Sequence, residues 1–143
     1  MSKVICIIPA RSGSKEIKNK NIIKIKGKPL IYYTISFAKK LSFIDKLIFS
    51  TDSISYMKKA KKYYKFTNSL RNKKFSTANS KAIEYVKHEL KKIKNIKKFK
   101  YLLLLQPTAP FRKKEIFIKG LRMLKDNKCD SVISAKLVKE HPL

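Results

Sequence analysis

Short apolar runs recur along this chain at intervals that suit the strands of a parallel sheet. Each run is mostly aliphatic or β-branched, which is typical of a strand buried on both faces. The runs cover residues 4–8, 46–50 and 101–105. Residues 131–135 predict a last strand, and residues 66–77 predict a loop with a short strand at its start.

Amphipathic segments lie between and after these runs. They cover residues 30–41, 53–64, 79–96 and 113–127. In the third segment, Ile83, Val86, Leu90 and Ile93 step by three or four positions, which places them on one face of a helix. Pro29 suits the start of the first helix, because proline is tolerated where the backbone N–H has no partner.

Strands separated by helices predict βαβ units and a three-layer α/β fold with a mostly parallel sheet. We expect one domain over residues 1–143 that is incomplete at its carboxyl end, because no helix follows the last predicted strand. Ligands of such sheets bind beyond the carboxyl ends of the strands. Three polar segments fall there, at residues 10–21, 51–52 and 106–112.

Composition narrows the class of protein. Hydrophobic residues make up 43% of the chain, enough for a packed core, and no apolar run approaches the roughly 20 residues that cross a bilayer. The 36 basic and 9 acidic residues give a net charge of +27. A polyanion-binding protein fits that charge, but the lysines are spread along the chain, as compositional drift would leave them. Cys6 and Cys129 lack metal-site spacing and predict buried free thiols in a cytoplasmic protein.

The first polar segment concentrates positive charge next to small residues. Arg11, Lys15, Lys18 and Lys20 lie close to the small residues at positions 12–14, whose backbone N–H groups can turn towards an anion. Fixed cations there would bind a triphosphate and stabilise departing pyrophosphate. The spacing is not that of a Walker A loop. The alternative is an ordinary solvated basic loop.

The other two polar segments offer different chemistry. Gln106 follows a strand and begins a loop that two prolines stiffen, and its amide both donates and accepts, which suits a polyhydroxylated ligand. The alternative is a structural turn with Arg112 at the start of a helix. Asp52 is a candidate metal ligand, although an aspartate in a Ser-Thr-Asp turn more often caps the following helix.

Several motifs occur together in one order along the chain. They are IPARSGSK at 8–15, KN at 20–21, STD at 50–52, LLQPTAPFR at 104–112, and SVISA at 131–135 followed by HP at 141–142. Together they resemble the acylneuraminate cytidylyltransferases, also called CMP-N-acetylneuraminate synthetases, including relatives that act on pseudaminic and legionaminic acids. The resemblance implies a nucleotide-diphosphosugar-transferase-like fold.

The resemblance also implies a reaction. The anomeric hydroxyl of a nine-carbon 2-keto acid sugar attacks the α-phosphorus of CTP, with Mg²⁺ assisting, and the CMP-sugar serves cell-surface glycan synthesis. The positions matching those that cradle CTP are Arg11, Ser14, Lys15, Lys20 and Asn21. Lys20 and Arg11 match the catalytic cations, Arg71 and Ser80 match contacts to cytosine, and Gln106 matches a sugar contact.

Two alternatives remain, and the chain departs from the family's pattern at more than one point. A cytidylyltransferase for the eight-carbon acid Kdo would carry an acidic motif at positions 106–108, and a nucleic-acid binder would need exposed aromatic rings on a basic face. Glu16 stands where the family has glycine. Members of the family are longer, and their later part supplies a homodimer segment and metal-binding aspartates. We therefore expect an amino-terminal portion that is weakly active alone, with no metal ligand except the candidate Asp52 and no specific nucleic-acid partner.

Overall fold

A computed structural model describes residues 3–14, 16–77, 79–126 and 129–135. The chain divides into two compact units, Met1–Arg112 and Lys113–Leu143. The expectation of one domain over the whole chain stays a prediction. No helix in the described ranges has the length and hydropathy needed to cross a bilayer.

The first unit is built around a four-stranded parallel sheet. Its strands are β1 (Lys3–Pro9), β4 (Lys46–Thr51), β5 (Thr67–Leu70) and β6 (Phe99–Leu104), in the order β5-β4-β1-β6. Two-residue strands β2 (Lys24–Ile25) and β3 (Lys28–Pro29) form a small antiparallel hairpin. The helices are α1 (Leu30–Lys39), α2 (Ile54–Lys61) and α3 (Ala82–Lys91). The predicted strand–helix alternation and mostly parallel sheet are confirmed.

The core lies on both faces of β1, as a continuous apolar strand predicts. Ile5 and Ile7 pack with Ile48 of β4 and with Tyr85 and Val86 of α3. Side chains alternate along a strand, so the neighbouring Cys6 and Ile8 lie on the opposite face, and both are fully buried. Helices and a two-faced sheet of this kind form the three-layer arrangement.

The predicted α1 face is also buried. Pro29 directly precedes the helix, and the residues that share its inner face are Leu30, Thr34, Phe37, Ala38 and Leu41. Thr34 is fully buried although it carries a hydroxyl, and that hydroxyl accepts a hydrogen bond from the Arg112 guanidinium. The short strand expected after Phe66 is β5.

Two predictions from the apolar pattern are wrong in detail. The third helix, expected over residues 79–96, is only α3, in which Ile83 is exposed and Glu89 is buried. The strand expected as fully buried at 101–105 is β6, in which Leu102 is 42% exposed. Apolar periodicity marks side chains that favour burial, but the position of each element within the fold decides which of them are covered.

The second unit contains α4 (Lys114–Lys125), close to the predicted helix at 113–127. The strand predicted at 131–135 is wrong, because those residues have no regular secondary structure. A run of β-branched residues has strand propensity, but a strand needs ladder hydrogen bonds from a partner. The motif at 141–142 lies outside the described residues.

Candidate active site at the carboxyl ends of the strands

A cleft of about 270 Å³ opens in the first unit beside the carboxyl ends of its strands. Residues from the first polar segment, from the stretch after β5 and from the segment after β6 line it together. Those that the sequence singled out are Arg11, Ser14, Lys20, Asn21, Arg71, Ser80 and Gln106. Lys15 lies outside the described residues. Pro107 and Thr108, from the third polar segment, also line it, and so do Phe75, Thr77 and Tyr85, which no sequence motif singled out.

The first polar segment is tied down by Asp52. Both oxygens of that carboxylate accept bonds from Ser12, one from the backbone N–H at 2.8 Å and one from the hydroxyl at 2.9 Å. Asn21 adds a bond from its side-chain amide to the carbonyl of Arg11 at 2.9 Å. The prediction that Asp52 caps α2 is wrong, because Ser53 is the cap and its hydroxyl accepts from the N–H of Tyr56.

The same segment sets the position of Lys20. Asn19 adopts a left-handed backbone conformation (φ 57°), which asparagine tolerates better than most residues, and its side-chain oxygen accepts from the Tyr56 hydroxyl at 3.1 Å. A 3₁₀ turn, Lys20–Ile22, follows directly. The ammonium of Lys20 lies 3.9 Å from the carboxylate of Glu16, whose side chain is 86% exposed. Lys20 therefore reaches the cleft with a solvated acidic neighbour.

Arg71 forms the buried wall of the cleft and is only 4% exposed. Its backbone N–H bonds the carbonyl of Thr51 at 2.7 Å, and its guanidinium donates to the carbonyls of Ser50 (2.9 Å) and Phe75 (3.3 Å). The guanidinium stacks 4.6 Å above the ring centre of Tyr85. Burial lowers the pKa of Arg71 and raises that of Tyr85, and each group partly offsets the other's shift.

One N–H of that wall has no partner. The buried Nε of Arg71 makes no hydrogen bond within the described part of the chain. A buried donor without an acceptor costs about 1–3 kcal/mol, so Arg71 carries an unrelieved cost inside the wall.

Ser80 stabilises the stretch that follows Arg71. Its hydroxyl accepts from the N–H of Thr77 at 3.1 Å and donates to the carbonyl of Lys74 at 3.2 Å. Its side chain is therefore engaged within its own loop. The role that the resemblance implies for this position is a backbone contact to the base, which remains a prediction.

Gln106 is exposed at the end of β6, and Arg112 holds the loop that it begins. The guanidinium of Arg112 donates to the Gln106 carbonyl and to the Thr34 hydroxyl (3.1 Å), and it lies over the ring of Phe37. Burial lowers the pKa of Arg112, which the neighbouring Cys6 thiol partly offsets. The cap of α4 is Lys113, so Arg112 fastens the loop to α1 instead of starting a helix.

The described carboxylates do not form a magnesium site. Mg²⁺ in nucleotide sites is usually held by one or two carboxylates together with phosphate oxygens. Both oxygens of Asp52 are engaged by Ser12, and Glu16 is paired with Lys20. The described ranges also contain no group of three side chains of the metal-binding types.

Known proteins resemble this chain along most of its length. Residues 5–141 match the family model for cytidylyltransferases. The chain is 38% identical over 123 residues to an N-acylneuraminate cytidylyltransferase of Escherichia coli, which covers 85% of this chain and 28% of that protein. It is 39% identical over 114 residues to a CMP-N,N'-diacetyllegionaminic acid synthase of Legionella pneumophila, which covers 79% of this chain and 49% of that protein.

The fold also resembles that of a solved structure. The solved structure of CMP:2-keto-3-deoxy-manno-octonic acid synthetase complexed with CTP aligns with a TM-score of 0.75 at 18% identity, over 89% of this chain and 49% of that one. The predicted nucleotidyltransferase-like fold is thereby confirmed. The chain spans between 28% and 49% of the length of these relatives. On the strength of the family match over residues 5–141, the chain belongs to the cytidylyltransferase family.

Proposed function

We propose that this chain binds CTP in the cleft described above, as part of an enzyme that transfers CMP to a sialic-type nine-carbon 2-keto acid sugar. The observation that carries the proposal is the convergence of three chemically different walls on one cleft: the cations Arg11 and Lys20, the buried Arg71, and the amide of Gln106. A triphosphate, a pyrimidine base and a sugar need those three kinds of contact.

The cationic wall suits the phosphates. Arg11 and Lys20 come from one segment whose backbone Asp52 restrains, so their charges are held near one point before a ligand arrives. In the proposed reaction the sugar hydroxyl loses its proton and forms a bond to the α-phosphorus. The bond from that phosphorus to the bridging oxygen breaks, and pyrophosphate leaves with the electron pair. Lys20 stabilises the charge that develops on the phosphate oxygens.

The buried wall suits the base. Cytosine presents a carbonyl oxygen and a ring nitrogen as neighbouring acceptors, and the guanidinium of Arg71, which lines the cleft, carries N–H donors of the matching kind. Tyr85 holds the guanidinium plane by stacking, which fixes the direction of those donors. Because the amino group and ring nitrogens of a purine stand in a different arrangement, we expect CTP to bind better than ATP.

The sugar side rests on Gln106 and on the relatives. Gln106 lines the same cleft, and its backbone carbonyl accepts a hydrogen bond from Arg112. The curated relatives at 38–39% identity are named for acylneuraminate and legionaminic acid, which favours a sialic-type sugar over Kdo. The proposal includes Mg²⁺ arriving with CTP, a homodimer in the full-length relatives, a cytoplasmic location and a role in cell-surface glycan synthesis.

The polyanion-binding alternative has less support. The candidate stacking residues are Tyr32, Tyr33, Tyr63, Tyr64 and Phe66. Four of them pack against other rings: Tyr32 contacts Tyr33 and Tyr63, with ring centres 5.4 and 4.9 Å apart, and Phe66 contacts Phe49 at 5.3 Å, whereas Tyr64 is 39% exposed. A stacking platform for nucleic-acid bases needs exposed ring faces.

Calorimetric titration with CTP, UTP, ATP and inorganic tripolyphosphate, each with Mg²⁺, tests the proposal. We expect CTP to bind best. Lys20→Ala should weaken CTP and tripolyphosphate alike by about tenfold, which corresponds to one lost charge-assisted contact. Lys18→Ala, in the same segment but outside the cleft lining, is the matched control and should change either affinity less than twofold.

Arg71→Ala should weaken CTP and leave tripolyphosphate nearly unchanged. Equal binding of all three nucleotides by the unaltered chain, or an equal loss of CTP and tripolyphosphate on changing Arg71, would contradict the base assignment. Pyrophosphate release in the presence of sialic-type sugars or Kdo then decides between the two sugar classes.

A further inference from the structure

A buried carboxylate lies behind the arginine wall of the cleft. Glu89 belongs to α3 and is 1% exposed, although glutamate is rarely buried unless it is paired. Its Oε1 accepts from the hydroxyl of Ser50 at 2.8 Å, and the ammonium of Lys92 lies 3.5 Å away. Glu89 is not among the residues that line the cleft.

Ser50 joins this carboxylate to the cleft. Its side chain donates to Glu89, while its carbonyl accepts from the Arg71 guanidinium at 2.9 Å and from the backbone N–H of Ala10 at 2.9 Å. One residue at the end of β4 therefore connects the buried acid, the buried arginine and the first residue of the cationic segment.

Lys92 extends the same network to the chain just before Arg71. Its ammonium donates to the hydroxyl of Ser69 at 2.9 Å and to the carbonyl of Leu70 at 3.2 Å. Residues 69 and 70 lead directly into Arg71, so the Glu89–Lys92 pair fixes the backbone that carries the guanidinium. The end of α3 and the end of β5 are thus held together around one carboxylate.

Arg71 needs a counter-charge. The acceptors of its described hydrogen bonds are neutral carbonyls of Ser50 and Phe75, and a buried cation with only neutral partners is costly. Burial lowers the pKa of Arg71, and Tyr85, Glu89 and Asp52, in that order, oppose the lowering, as nearby negative charge would.

We propose that Glu89 is a positioning residue for Arg71: through Ser50 and Lys92 it holds the buried guanidinium in the cleft wall as a cation. The inference deepens the proposed function and rests on it for the ligand, a cytidine nucleotide. The coupling between Glu89 and Arg71 does not depend on that ligand and is measured separately.

The test compares the whole chain with Glu89→Gln, Arg71→Met and the double variant. Glu89→Gln keeps an acceptor for Ser50 and removes the charge. We expect it to lower CTP affinity about tenfold, to change tripolyphosphate affinity less than twofold, and to change CTP affinity less than twofold once Arg71 is methionine. Glu84→Gln on the same helix is the control, because Glu84 is exposed and its carboxylate accepts from the N–H of Lys81 at the helix start.

Thermal melting of the same four proteins gives the coupling without a ligand. We expect Glu89→Gln to lower the melting temperature by several degrees next to Arg71 and by much less next to methionine. Additive shifts would overturn the inference, as would an equal loss of CTP and tripolyphosphate affinity. If the unaltered chain does not bind CTP, the proposed function fails, and the melting cycle alone decides whether Glu89 and Arg71 are coupled.

A second variant keeps the inference testable if Glu89→Gln does not fold. Ser50→Ala removes only the hydroxyl that reaches Glu89 and leaves the carbonyl that accepts from Arg71. It should weaken CTP by a smaller factor than Glu89→Gln and again spare tripolyphosphate. Unchanged CTP affinity in this variant would contradict the link through Ser50.

Discussion

Replacing Asp52 with alanine should loosen the cationic segment without removing any of its cations. The change deletes two hydrogen bonds to a carboxylate, from the N–H and the hydroxyl of Ser12 at 2.8 and 2.9 Å. Bonds to charged groups contribute about 1.5–3 kcal/mol each when well buried, but these are half-buried and water can replace part of them. We therefore expect a combined loss of about 2–3 kcal/mol in the free energy of unfolding.

That loss converts to a melting shift. A chain of 143 residues with an unfolding entropy of about 2.1 cal/mol/K per residue has a total of about 0.3 kcal/mol/K. Asp52→Ala should therefore lower the melting temperature by about 7–10 °C, as followed by circular dichroism or calorimetry. Asp52→Asn should shift it by about half as much, because an amide can accept from the N–H and bond the hydroxyl without the charge.

The same variant should weaken nucleotide binding. Ordering one loosened residue costs about 1–2 kcal/mol, so CTP and tripolyphosphate should both bind about tenfold more weakly to Asp52→Ala. Asp130→Ala, at an exposed aspartate of the second unit, is the control. The reasoning fails if Asp52→Ala has the same melting temperature as the unaltered chain, or if Asp52→Asn is as unstable as Asp52→Ala.

Two further predictions concern Arg112 and Cys6. Arg112→Ala removes the hydrogen bonds that hold the loop to α1 and to the Gln106 carbonyl. Chymotrypsin should therefore cleave after Phe111, which is 81% exposed, about tenfold faster. An unchanged cleavage rate would show that Arg112 does not hold the loop. Burial raises the pKa of Cys6 well above its usual range, so at pH 8 a thiol reagent should label Cys129 promptly and Cys6 only as the protein unfolds. A Cys6→Ser variant should lose the slow labelling phase. Prompt labelling of both thiols in the folded protein would contradict the burial of Cys6.

The position of the site could be predicted because topology alone determines it. Once residues 4–8, 46–50 and 101–105 are taken as parallel strands, their carboxyl ends must lie at one edge, and the polar segments that follow must approach one another. The cleft lined by Arg11 and Gln106 is the direct result. No knowledge of side-chain contacts was needed for that step.

The supporting contacts could not be predicted because they join residues far apart in the chain. Asp52 bonds Ser12 across 40 positions, and Ser50 bonds Glu89 across 39. The spacing of apolar residues predicts which face of a helix is buried, but it gives no sign that a carboxylate such as that of Glu89 is buried with them. The strand expected at 131–135 failed for the converse reason, since local propensity cannot supply a pairing partner.

The ion pair between Glu16 and Lys20 changes the way an anion enters the cleft. With the carboxylate 3.9 Å from the ammonium, an incoming phosphate exchanges one negative neighbour for another instead of meeting a bare cation. The electrostatic free energy gained when a phosphate binds beside Lys20 is therefore smaller than it would be beside an unpaired lysine, and it is the same for every polyphosphate. Discrimination among nucleotides then falls to the rigid interior wall, so this chain should tell nucleotides apart more sharply by their bases than by the number of phosphates they carry.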